Sequence, residues 1–285
     1  MSVAVVTDSN SGILPSEAKE NGIFVIPMPF MIDEVEYFED ISLSQEEFYK
    51  FLENNVSVVT SQPSPEAVME MWDSVLKDYD ELVYIPMSSG LSGSCQTAYM
   101  LSDDYDGRVH VINNQRISVT LRDSVFDAVS LSEKGLSGAE IKEKLEEVKF
   151  ESTIYIMVGT LEYLKRGGRV TPAVATIGNL LKLKPVLAIH GEKLDAHATV
   201  RTISQGKASL LNSVKSDLEK LLKDPDPSHY HFNVAYSKDS TNAIEFAEEV
   251  KEFFGVDEVF IAALPLSISC HIGPESLAIA ISKKL

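Results

Sequence analysis

Short apolar runs alternate along the chain with longer stretches whose apolar positions recur at helical spacing, the pattern of a layered α/β protein. Near-continuous apolar runs predict strands at residues 3–6, 24–27, 82–86 and 109–112, as for parallel strands covered on both faces. The second half repeats the pattern, with strands expected at 154–158, 186–189, 196–200, 233–236, 259–263 and 277–281. Helix starts carry local signals. Ser44 and Glu47 have capping-box spacing ahead of Phe48, Phe51 and Leu52, and Ser137 and Glu140 repeat it ahead of Ile141, Leu145 and Val148. Ser64-Pro65 supplies an N-cap and an N1 proline before Val68, Met71, Trp72 and Val75. Further helices are expected near 205–222 and 240–254, the latter with Ser240 as N-cap. The order of elements predicts two α/β lobes with mostly parallel sheets, at 1–150 and 151–285, and a ligand cleft outside the carboxyl ends of the strands.

Composition narrows the class. The 285 residues carry 25 Lys plus Arg against 43 Asp plus Glu, a formal charge of −18. An acidic surface repels the phosphate backbone, so no nucleic-acid partner is expected, and contact with an anionic membrane is at most transient. Cys95 and Cys270 form neither a disulfide framework nor a CxxC site. The amino terminus lacks a basic and apolar leader, and the apolar stretch 23–32 is short and broken by Pro27 and Pro29. The expectation is a soluble, reduced, cytoplasmic protein.

Three polar loops could carry chemistry. Thr7-Asp8-Ser9-Asn10-Ser11-Gly12 follows the first strand, and Asp8 or Ser9 serves there either as a turn and cap residue or as a ligand-facing group. In Thr60-Ser61-Gln62-Pro63-Ser64-Pro65 the prolines stiffen the chain; capping accounts for Ser64 but not for Thr60, Ser61 and Gln62. Ser88-Ser89-Gly90-Leu91-Ser92-Gly93-Ser94 offers backbone donors and hydroxyls between a strand and a helix. It lacks the P-loop lysine, and no GxGxxG fingerprint occurs elsewhere. Its Gly90-Leu91-Ser92-Gly93-Ser94 comes within one residue of a nucleophile elbow. With Asp8 or Asp257 and His271, a serine hydrolase acting on acyl esters through Ser92 is the alternative reading. The histidines show no metal-binding spacing, so no metal is expected. His271, in a Gly-Pro turn between two apolar runs, either points toward the lobe interface or is structural. Lys165, Arg166 and Arg169, followed by Lys182 and Lys184, form a basic patch on an acidic background.

In this order, the motifs resemble the DegV family, bacterial fatty-acid-binding proteins that serve fatty acid kinase. The resemblance rests on Val6-Thr7-Asp8-Ser9, Thr60-Ser61-Gln62-Pro63-Ser64, Ser88 through Ser94, Leu161 through Arg169 with Lys184-Pro185, and His271-Ile272-Gly273-Pro274. It implies a DegV-like (EDD) fold of two α/β lobes, with a long acyl chain (C16–C18) buried between or within them. It further implies that Thr60 and Ser92 hold the carboxylate, with Ser61, Gly93 and His271 in the same neighbourhood. The carboxylate would be presented to a separate fatty acid kinase catalytic subunit for acyl-phosphate formation, with Arg166, Arg169 or Arg201 helping to dock it. The chain itself would be a non-catalytic carrier without a cofactor. Two positions depart from the family pattern: Glu275 follows Gly273-Pro274, and Asn113-Asn114 stands where relatives commonly have Asp-Ser.

Overall fold

The computed structural model describes residues 2–39, 41–54, 56–169, 171, 183–191 and 193–285. Lys182 of the basic patch lies outside them. The chain divides into two compact units, residues 1–44, 57–150 and 285 in one, and residues 45–56 and 151–284 in the other.

The first unit is built on a four-stranded sheet of β1 (Val3–Asp8), β2 (Ile23–Ile26), β6 (Glu81–Ile85) and β7 (Val109–Val111), ordered β2-β1-β6-β7. Every pairing is parallel, as the continuous apolar runs require of strands covered on both faces. Around it stand α1 (Pro15–Glu20), α3 (Pro65–Val75), α4 (Ser94–Ser102), α5 (Val119–Glu133) and α6 (Gly138–Glu147). Helix α3 begins as its sequence directs, with the Ser64 hydroxyl accepting from the Ala67 N–H and Pro65 in the first turn. It then buries Val68, Trp72 and Val75 against the sheet, each side chain contributing about 1.5–3 kcal/mol by leaving water. Trp72 is fully buried, edge-on to Tyr84 and Tyr105. The capping box of α6 forms in both directions between Ser137 and Glu140.

A small antiparallel sheet also belongs to this unit: β3 (Pro29–Ile32), β4 (Val35–Phe38) and β5 (Val58–Thr60), ordered β4-β3-β5. These strands have three or four residues each, too short for a clear period-two pattern.

The second unit holds a six-stranded sheet of β8 (Ser152–Val158), β9 (Lys184–His190), β10 (Lys193–Val200), β11 (Tyr230–Tyr236), β12 (Phe260–Ala263) and β13 (Ser276–Lys283). Its order is β10-β9-β8-β13-β11-β12, and only the β11–β12 pair is parallel. The α/β class stands, but the expectation of mostly parallel strands holds in the first sheet and is corrected in the second. The short β9–β10 connection forces an antiparallel hairpin, and the last strand, β13, enters antiparallel between β8 and β11. Helices α2 (Gln45–Glu53), α7 (Glu162–Gly167), α8 (Ile203–Lys220), α9 (Thr241–Phe254) and α10 (Leu266–Ile272) complete the unit. The cap of α9 differs from expectation. Ser240 makes no side-chain cap bond; Asp239 accepts instead, from the Thr241 N–H at 2.9 Å and hydroxyl at 2.7 Å.

Candidate functional site

Strand order places a topological switch point between β1 and β6, where chain connections leave in opposite directions and open α/β sheets bind ligands. The loops after these two strands are tied together. The Thr7 hydroxyl donates to the Ile85 carbonyl at 2.8 Å, and the Asp8 carboxylate accepts from the Met87 N–H at 2.9 Å. Asp8 also accepts from the Asn10 N–H and side-chain amide, so its capping role is met. It is fully buried, and burial outweighs those three bonds, pushing its pKa up to about 6.

From Met87 the chain enters the serine-rich loop. The Ser88 N–H donates to the Arg116 carbonyl, and the N–H groups of Leu91 and Ser92 fold back onto the Ser88 carbonyl. The Ser92 hydroxyl accepts from the Ser94 N–H at 3.2 Å, at the entry to α4. Among the described hydrogen bonds, no imidazole reaches the Ser92 hydroxyl, so the base that a serine nucleophile requires is not seen there. No group of three His, Cys, Asp or Glu side chains among the described residues converges to hold a metal ion.

Thr60 is the last residue of β5 rather than part of a loop, and it lies opposite Phe30 on β3. Strand alternation puts Thr60, Val58, Phe30, Ile32 and Tyr37 on one face of the small sheet, a hydroxyl at the edge of an apolar wall. The following Ser61 N–H donates to the Pro29 carbonyl at 3.2 Å, and Ser61 itself is exposed. Gln62 then joins the two hydroxyl-bearing segments. Its side-chain amide hydrogen-bonds the Thr97 hydroxyl on α4 at 3.1 Å, and its Oε1 lies 3.3 Å from where a Cβ on Gly93 would stand. A Cβ at 93 would require the Gln62 amide to shift by a few tenths of an ångström. Gln62 thus ties the segment after β5 to α4, next to Gly93.

His271 belongs to the second unit. It lies on α10 and not in a turn between strands, because Pro265 starts a helix there and Gly273, at φ +89°, ends it. Its ring packs against Gly167, so the Lys165–Arg169 and His271–Pro274 motifs form one substructure. Burial, together with the Arg169 guanidinium, pushes the His271 pKa down to about 4. Arg166 is exposed, paired to Glu162 at 3.2 Å; Arg169 is exposed and donates to the Gly167 carbonyl; Arg201, just past β10, is exposed. The two departures from the family pattern are both engaged. Glu275 approaches Lys184 at 3.6 Å and stands over Gly159, while Asn113 hydrogen-bonds Ser89 in the serine-rich loop. Asn113 carries no local sequence signal of that role. No helix among the described residues is long and apolar enough to cross a membrane.

Comparison with known proteins agrees with this fold. The family model for DegV proteins matches residues 2–284. A DegV domain-containing protein of Staphylococcus aureus is 31% identical over 284 residues, covering 98% of each chain. Among solved structures, a fatty-acid-binding DegV family protein from Thermus thermophilus superposes with a TM-score of 0.90 at 27% identity, covering 99% of this chain and 100% of that one. DegV from Bacillus subtilis, described as a fatty acid binding protein, gives 0.85 at 28% identity with full coverage of both chains. With the family model spanning almost every residue and a relative above 30% identity along nearly its whole length, this chain belongs to the DegV family.

Proposed function

We propose that this chain binds a long-chain fatty acid, buries the acyl tail, and presents the carboxylate to the catalytic subunit of a fatty acid kinase for acyl-phosphate formation. The observation that supports the reading is the Gln62 bridge, which links the segment following Thr60, at the edge of an apolar sheet face, to α4 next to Gly93. A tail of C16–C18 gains roughly 0.8 kcal/mol per buried methylene, which gives affinity but little orientation. Orientation falls to the head group, and a buried carboxylate without partners is heavily penalised. Hydroxyls of Thr60 and Ser92, with Ser61 and the Gly93 backbone beside them, satisfy it by charge-assisted bonds without a fixed cation. An oxygen so held stays nucleophilic toward a phosphoryl group delivered by the partner. The carrier acts in the cytoplasm, has no cofactor and binds no nucleic acid; its contact with membranes is transient. Fatty acid binding by the Thermus and Bacillus relatives supports the ligand class.

The test is palmitate and oleate binding to delipidated protein. Thr60→Ala and Ser92→Ala should each raise Kd roughly tenfold to a hundredfold, the loss of a hydrogen bond to a charged group, with circular dichroism unchanged. Failure of the wild-type chain to bind either acid would overturn the proposal; acyl-ester turnover abolished by Ser92→Ala would replace it with the hydrolase. For the partner, reversing the exposed charge of Arg166, Arg169 or Arg201 should lower acyl-phosphate formation by a supplied kinase subunit while leaving palmitate affinity intact. Equal loss of both would assign the arginine a structural role.

A further inference from the structure

We infer that Asn113 is the positioning residue of the serine-rich loop, holding Ser92 and Gly93 in register for the ligand head group. This rests on the reading of that loop as the carboxylate holder. The Asn113 side chain grips Ser89 through both of its amide atoms: Nδ2 donates to the Ser89 hydroxyl at 2.8 Å, and Oδ1 accepts from the Ser89 N–H at 3.4 Å. Its own N–H donates to Glu146 Oε1 on α6 at 3.1 Å. The same carboxylate oxygen accepts from the Tyr99 hydroxyl at 3.2 Å and from the Lys142 ammonium at 3.0 Å. Tyr99 lies on α4, the helix into which the loop runs. One oxygen of Glu146 therefore secures both ends of the Ser89–Ser94 segment, the first through Asn113 and the second through Tyr99. Lys142 completes the frame by donating to the Val111 carbonyl and lying over the Tyr99 ring.

The backbone after Asn113 is built for the same task. Gln115 and Ser118 adopt left-handed φ values of 57° and 54°, uncommon for non-glycine residues and costly unless the surroundings impose them. Between them the Arg116 carbonyl receives the Ser88 N–H, and the Ser118 N–H donates to the Asn10 carbonyl. The fully buried Arg116 guanidinium anchors this stretch to the Ser124 hydroxyl at 2.8 Å and the Val148 carbonyl at 3.1 Å. Residues 113–118 thus stitch the loops after β1 and β6 to each other. Within this stitching, the Ser89 tether acts on the loop through the Asn113 side chain.

The experiment compares wild type, Asn113→Ala and Asn113→Asp by palmitate titration and by hydrogen exchange of the peptide spanning residues 86–94. Asn113→Ala removes both bonds to Ser89; it should weaken palmitate binding about tenfold and speed exchange in that peptide by a similar factor. Exchange in the core strands should not change. Asn113→Asp still accepts from the Ser89 N–H and hydroxyl, so it should restore affinity to within about threefold of wild type. Unchanged loop exchange in Asn113→Ala, or faster exchange throughout the first unit, would overturn the inference. So would an Asn113→Asp variant no better than Asn113→Ala. If wild type binds no palmitate yet loop exchange follows this pattern, the positioning role stands and the fatty-acid reading falls.

Discussion

The imidazole of His271 occupies the space that a side chain at Gly167 would need: a Cβ there would stand 2.1 Å from Nδ1. The last residue of α7 and the last turn of α10 are locked by this contact. A second glycine repeats the arrangement, since a Cβ on Gly273 would meet the Tyr163 ring at 2.6 Å. Two motifs separated by a hundred residues of sequence thus stand or fall together.

Gly167→Ala should therefore destabilise the protein by about 1–3 kcal/mol, the usual cost of overpacking, although alanine is the better helix former. In a His271→Ala background the same substitution should be neutral or stabilising, because the ring that it strikes is gone. Thermal unfolding of the four proteins in this cycle gives the coupling directly. Additive effects would mean that the ring moves aside freely.

His271 also sets a pH dependence. Its folded pKa is about 4, against 6.5 for an ordinary histidine, because burial and Arg169 both disfavour the charged ring. Between those values the unfolded chain takes up a proton that the folded chain refuses. Stability from this group is complete above pH 6.5 and declines as pH falls toward 4, by up to about 3 kcal/mol. Urea unfolding at pH 7 and pH 4.5 should show a smaller decline in His271→Gln than in wild type. Identical declines would show that the ring titrates normally.

Much of this architecture is legible in the residues themselves, wherever the signal is local. Ser64-Pro65 and the Ser137–Glu140 box fix helix starts because cap chemistry acts within one turn. The loops after β1 and β6 stand out because small hydroxyl residues and glycine follow apolar runs. Features set by distant partners leave no such trace. Helix α10 contains serine, cysteine and a following Gly-Pro, which look like turn chemistry. It forms because six of its seven residues are buried and the Tyr49 hydroxyl bonds Ser269 at 3.0 Å across 220 positions. Strand direction in the second sheet is equally hidden, since an apolar run does not say which way its neighbour points. Arg116 and Asn113 are polar residues in a loop by sequence alone; only the fold gives them Val148, Ser124 and Ser89 as partners.

The cap of α9 offers a direct contrast between sequence pattern and geometry. Asp239→Ala removes the acceptor for the Thr241 N–H and should cost about 1 kcal/mol. Ser240→Ala removes a hydroxyl that makes no cap bond and should stay within about 0.5 kcal/mol of wild type. Urea midpoints at constant m-value would separate the two. A larger loss from Ser240→Ala would return the capping role to that residue.

Asp8 should show the opposite pH dependence to His271. With its pKa raised to about 6 from 3.8, the folded chain holds a proton that the unfolded chain has released. Stability from this group is full below pH 3.8 and is lost as pH rises through about 6, by roughly 2–3 kcal/mol. The stability difference between wild type and Asp8→Asn should therefore shift by that amount, to the disadvantage of wild type, between pH 4 and pH 7. A constant difference would assign Asp8 an ordinary carboxylate pKa. The carboxylate that titrates is the one holding the Met87 N–H, and Met87 opens the segment that carries Ser92. Protonation weakens that acceptor, so amide exchange at Met87 should quicken as pH falls through 6, after correction for intrinsic exchange rates. The buried charge at pH 7 is then the form that holds the serine-rich loop in place, at a cost in stability that uncharged Asp8 does not incur.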